Sequence, residues 1–187
     1  MTMAPALRKF ALSAHLALSV GWIGAVVAYL AFGVAAATGR DVQTVRAAWI
    51  AMDLAGWYVI VPLAVASLLT GIVMALGTRW GILRHYWVLF SLVLTTFATV
   101  VLLLHMPGVT ELADVAREAG RAGVDALDPQ ISDRLREGDL LHPGLGLVVL
   151  LTIQVLNVYK PPGMTRYGWR KQQEQPAKVR ERTPAQV

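Results

Sequence analysis

Apolar positions gather into four runs along the chain: 10–37, 47–76, 86–106 and 141–158. A helix that crosses the hydrocarbon core needs roughly 17–25 such residues, so three runs clear the requirement and the fourth meets its lower edge. None shows the strict alternation of a barrel strand. A backbone in hydrocarbon must satisfy its own hydrogen bonds, so the runs predict helices. The expected fold is all-α, a four-helix transmembrane bundle over residues 1–159. A connection at 107–140 and a disordered basic tail at 160–187 complete it. Arg8, Lys9 and the closing Ala35-Ala36-Ala37 give the first run a signal-like outline. Its apolar stretch is about twice the length of a signal core, which predicts a retained span.

Finer patterning sits on these runs. His15, Ser19, Trp22, Val26 and Tyr29 recur at helical spacing and predict one inward stripe on the first helix. Ala14, Ala17, Gly21, Gly24, Ala25 and Ala28 run beside it, and small residues at such spacing let a neighbouring helix approach closely. In the long connection, Leu112, Val115, Ala116 and Ala119 predict a short amphipathic helix. Val124, Leu127, Ile131 and Leu135 predict a second, with Pro129 near its start. Trp49, Trp57 and Tyr58 fall at one membrane face and Trp80, Tyr86, Trp87 and Tyr159 at the other, as interfacial anchors do.

Composition and charge agree with a bilayer as the partner. The chain is 187 residues long, 56% hydrophobic and free of cysteine, with a mean hydropathy of +0.52. Disulfides, thiolate metal sites, iron–sulfur clusters and covalent haem attachment are thereby excluded. The net charge of +5 lies mostly beside apolar runs, so membrane topology explains it and nucleic-acid binding is not expected. With both termini cytoplasmic, the inner segments carry 11 Lys and Arg, including Arg8, Lys9, Arg79, Arg84 and seven in the tail. The opposite side carries six, Arg40, Arg46, Arg117, Arg121, Arg134 and Arg136. Residues 107–139 hold eight acids and four arginines, which suits either a solvated cap over the bundle mouth or an acidic collar that attracts cations or a partner. Heavy use of Ala, Val and Arg suggests a bacterial protein of the cytoplasmic (inner) membrane.

Ionisable groups in hydrocarbon are costly, so each is a functional candidate. Depth along the runs places His15 and Gln154 in the inner half and His105, His142 and Asp53 in the outer layer. His15 suits axial ligation of haem b, with Gly21, Trp22, Gly24 and Trp57 shaping a slot and Gln154 steadying it. The same His15 equally suits a structural hydrogen bond. His105, His142 and Asp53, with Met106 adjacent, suit copper. No P-loop, dinucleotide fingerprint, HExxH or nucleophile elbow occurs in the sequence.

The segment His15-Leu-Ala-Leu-Ser-Val-Gly-Trp22-Ile23-Gly24 resembles the first-helix motif of the copper-resistance D type of membrane protein. It is similar also to the HemJ-type protoporphyrinogen oxidase, where the His followed by Trp belongs to a haem-b site. In layout the chain looks like a small bacterial four-span family of unknown function. The resemblance implies haem b at His15 and Trp22; the bundle lysine of the HemJ type has no counterpart between Lys9 and Lys160. Three expectations follow: a haem-b protein with a redox role and a membrane redox partner, a copper or cation transport or resistance protein, or a ligand-free accessory subunit, homo-oligomeric or bound to a partner.

Overall fold

The computed structural model describes residues 3–78, 81–121, 135 and 138–181. Helix α1 spans Pro5–Thr38, and α2 spans Val42–Ala55. A π-helical turn, Gly56–Ile60, joins α2 to α3 at Val61–Gly77. Helix α4 covers Tyr86–Arg121, α5 covers Leu141–Tyr159 and α6 covers Arg166–Glu181. The described residues contain no strand element beyond a single bridge between His85 and Met164. Four stretches are long and apolar enough to cross a membrane: α1, the continuous Val42–Gly77, α4 and α5.

The four spans form a closed ring in which α1 packs on α2, α3 and α5, and α4 packs on α2, α3 and α5. The stripe read from the first run turns inward, with Trp22, Val26 and Tyr29 buried and continued by Gly33 and Ala36. The small residues beside it behave differently. Ala17, Gly24 and Ala28 are exposed on the outer wall, whereas Ala14 is half-buried, Ala25 packs against the core and Gly21 lies close to Leu63 of α3. The second span carries Pro62, which has no N–H to give. There Val61 donates to Gly56 O, five residues back, in the wider π pattern that takes up such a break.

Span length decides what stands outside the bilayer. At 1.5 Å per residue, the 36 residues of α4 rise about 54 Å against a hydrocarbon core of about 30 Å. The 19 residues of α5 barely cross it. Helix α4 therefore runs on well past the expected end of the third span at 106. Pro107 does not stop it, and the expected separate helix at Leu112–Ala119 is its continuation. Val109, Ala113 and Ala116 are buried on one face there, and Arg46 Nε of α2 donates to Ala116 O at 2.9 Å. The expected helix around Pro129 lies outside the described residues apart from Leu135. That side chain is fully buried and its carbonyl accepts from Trp49 Nε1 at 2.8 Å. Trp49 is thus a core residue, not an interfacial anchor, whereas Tyr58 and Tyr159 are exposed. Arg79 and Trp80 also lie outside the described residues.

The tail, expected to lack structure, carries α6. Its Gln, Lys, Arg and Glu are good helix formers, and Thr165 caps it by accepting from Gly168 N at 3.1 Å. Thr165 N donates to Arg84 O at 3.0 Å, so the segment before α6 is pinned to the α3–α4 turn. The start of α1, the end of α5 and this turn share one end of the bundle, termed the terminal end; the α1–α2 turn and the approach to α5 share the other, here termed the loop end.

Two glycines shape that approach. Gly138 has φ +63°, and a Cβ there would lie 2.8 Å from Gly33 O. A Cβ on Gly33 would in turn lie 2.7 Å from Asp139 O. The chain can pass against α1 only because both side chains are missing. Gly138→Ala is expected to cost at least about 1–2 kcal/mol, seen as a lower thermal-unfolding midpoint in detergent. Gly146→Ala in α5, where an added Cβ meets nothing within 4 Å, should be neutral or stabilising. Equal midpoints for the two variants would contradict this account of the approach.

Candidate functional site

Polar side chains inside the bundle fall into two layers. Near the terminal end, His15 Nδ1 and Thr70 Oγ1 lie 2.9 Å apart, and Ser19 Oγ and Ser67 Oγ also lie 2.9 Å apart. Thr70 Oγ1 donates in addition to Ala66 O of its own helix at 2.7 Å. Gly71 closes on the same imidazole: a Cβ there would be 3.2 Å from His15 Cε1. His15 therefore packs on the backbone of α3 and links it to α1. The proposed haem slot is not assembled around it. Gly24 faces outward, Gly21 meets Leu63, and Trp22 lines a different cavity further along the bundle. Among the described residues no hydrogen bond joins Gln154 to His15.

The loop-end layer is richer. Asp139, two residues before α5, is buried, and one of its oxygens has two partners. Tyr29 of α1 donates its hydroxyl to Asp139 Oδ2 at 2.7 Å, and His105 Nε2 of α4 lies 2.6 Å from the same oxygen. His142, in the first turn of α5, stacks on His105 with ring centroids 4.1 Å apart and planes 19° from parallel. One ligand atom each from His105, Asp139 and His142 lie within 4.8 Å of one another. Two histidines of the expected outer set are thus brought together, with a carboxylate from a third element.

Asp53 does not join them. Its Oδ1 accepts from Thr110 Oγ1 at 2.8 Å, and its Oδ2 lies 2.5 Å from an Arg117 guanidinium nitrogen. Trp57 Nε1 donates to the same Thr110 hydroxyl at 2.9 Å, so Trp57 belongs to this α2–α4 network and not to a haem slot. Arg117 reaches Asp53 only because α4 continues past Pro107. The residue that sequence reasoning passed over is Asp139. Its signal was present: an acid three residues before a histidine, at the start of a span.

Below the cluster lies a cavity of about 300 Å³ among α1, α4 and α5. Its walls include Trp22, Val26, Leu102 and Val149, and its polar end is Tyr29, His105, Asp139 and His142.

Residues 10–161, which hold all four spans and both polar layers, match the family described as predicted integral membrane protein (DUF2269). The chain belongs to the DUF2269 family. No curated protein and no solved structure matches it. The four-span family of the sequence-based expectation is therefore DUF2269, and the match names neither the copper-resistance D type nor the HemJ type.

In the DUF2269 cluster, the Asp139 carboxyl is held below the usual carboxylate range. Burial alone would raise it, but the hydrogen bonds from His105 and Tyr29 and the positive potential of His105 and His142 more than offset that. A lowered folded value means that ionised Asp139 stabilises the fold above the unfolded value of about 3.9, and that this stabilisation fades as pH falls through the folded value. With chelator present, the unfolding midpoint is expected to exceed that of Asp139→Asn by a margin that shrinks as pH drops below about 4. A margin that does not change with pH would mean the carboxylate is not a charged partner of this network.

Proposed function

We propose that this protein binds a divalent transition-metal ion, of the zinc and copper class, at His105, Asp139 and His142. The observation that carries the reading is the convergence of two imidazoles and one carboxylate at the loop end. Imidazole and carboxylate together suit zinc, copper and iron, and three protein ligands leave a position open for water or a substrate. Ligands at about 2.0–2.1 Å from an ion stand roughly 3.4 Å apart in a tetrahedral shell, so small side-chain rotations close the present spacing. Tyr29 supports the set from outside by orienting the carboxylate through its hydroxyl.

The distribution of Lys and Arg supports placing both termini in the cytoplasm of a bacterium, with the metal site towards the outer face of its inner membrane. Asp139 and the other acids of the connection give that face a cation-attracting potential. Binding is favoured over passage across the bilayer. Between the two polar layers the core includes Trp22, Val26, Ile60 and Ala64, all buried and none able to ligate an ion, and the buried Thr99 hydroxyl is engaged with Thr95 O of its own helix. The haem reading has less behind it. Two imidazoles that hold one haem iron approach from opposite faces of the macrocycle, whereas His105 and His142 stack on each other.

Metal analysis and an absorption spectrum on one detergent-purified sample test the reading. Zinc or copper is expected at close to one ion per chain. His105→Ala, Asp139→Ala and His142→Ala should each lower affinity by more than about tenfold, since even outer-shell changes cost 10–100-fold. His15→Ala should leave the metal content unchanged. A Soret band lost with His15 would overturn the proposal in favour of haem, and absence of metal after incubation with either ion would remove it.

A further inference from the structure

The cavity beneath the cluster has a chemistry of its own. Its walls are apolar along almost their whole length, and polar groups occur only at the Tyr29–Asp139 end. Two of the residues lining it, Phe97 of α4 and Leu145 of α5, are 60% and 61% exposed on the outer wall of the bundle. Both lie on lengths of helix that the bilayer covers, so the cavity communicates with the acyl-chain region between α4 and α5. Gly146 lies at the same seam, and a side chain added there would meet nothing within 4 Å. A molecule already dissolved in the membrane can reach the polar end without passing through water.

Charge narrows the class of molecule. Among the described residues no lysine or arginine lines the cavity, and its polar end carries the carboxylate of Asp139. Phosphate or carboxylate heads would meet an anion with no compensating cation, which makes phospholipids and fatty acids poor occupants. A neutral head with oxygen acceptors fits instead. Among the described residues His142 makes no hydrogen bond, so its ring N–H is available to such an acceptor. Trp22 and Phe97 on the walls and the stacked imidazoles at the end suit a flat ring. The volume, about 300 Å³, is at the lower end for a small-molecule site and suits a ring head with the first part of a tail.

We infer that this cavity is a binding site for a membrane-dissolved quinone, its ring between Trp22 and Phe97 and a carbonyl oxygen at the His142 end. The inference goes beyond the metal reading and stands without it, since walls, seam and charge do not depend on an ion.

The test uses the full chain in detergent micelles, with decyl-benzoquinone as the probe and quenching of tryptophan fluorescence as the readout. Quenching is expected to saturate, and Gly146→Leu, which adds bulk at a position where a Cβ meets nothing within 4 Å, should weaken apparent binding by about tenfold or more. Palmitate in equal excess should not displace the quinone. Quenching that rises linearly with probe and is the same in Gly146→Leu reports partition into the micelle and overturns the inference. Displacement by palmitate overturns it in favour of an anionic amphiphile. Zinc content measured on the same samples separates the two proposals: zinc retained without saturable quinone binding removes only this one, and saturable binding without zinc removes only the metal site.

Discussion

A buried carboxylate must find donors, and the partners of Asp139 determine how the last span meets the other three. Its Oδ2 accepts from Tyr29 on α1 and lies in hydrogen-bond reach of His105 on α4, while Asp139 itself leads directly into α5. One oxygen thus ties three of the four spans together at a single depth. Gly33 and Gly138 let the backbone come near enough for this to happen. His142 follows three residues later, less than one helical turn into α5, and is carried onto the face of His105. The proposed metal site, the polar end of the cavity and the docking of α5 all depend on the same contact.

Unequal helix lengths set the rest. Helix α5 only just crosses the hydrocarbon, so its first turn sits at the membrane boundary and His142 with it. The other spans overshoot, and their excess length at the loop end builds a cap where Arg46 and Asp53 of α2 meet Ala116 O and Arg117 of α4, while Trp49 of α2 donates to Leu135 O. Beneath that cap the buried Thr99 hydroxyl donates to its own helix at Thr95 O, and the interhelical pairs His15–Thr70 and Ser19–Ser67 follow near the terminal end. Hydrogen bonds between membrane helices are worth on average about 0.6 kcal/mol each, so the latter pairs set register between α1 and α3 more than they hold the fold together.

The four spans and the inward stripe on α1 were legible in the sequence, because length and period are one-dimensional properties. So was depth: His105 and His142 do share a layer, and His15 does lie at the other end. What could not be read was direction around the helix axis. Gln154 and Thr70 were both at a suitable depth for His15, and only packing chose Thr70. Asp53 was at the right depth for the outer histidines, yet the continuation of α4 through Pro107 supplied Arg117 and took it away. Proline lowers the prospect of helix without abolishing it where neighbours pack on both sides. Asp139 was passed over for another reason: in a segment with eight acids composition does not mark the buried one, and only its spacing from His142 at the start of a span set it apart.

The central claim is that two imidazoles and one carboxylate converge on a single ion at the loop end. An X-ray absorption spectrum of the zinc-loaded protein addresses it most directly. The account predicts a first shell with two imidazole nitrogens at about 2.0–2.1 Å, their outer-ring scattering visible, and oxygen from Asp139 completing the set with water. A shell of oxygen alone, or one whose imidazole scattering survives the double substitution of His105 and His142 by alanine, would contradict it.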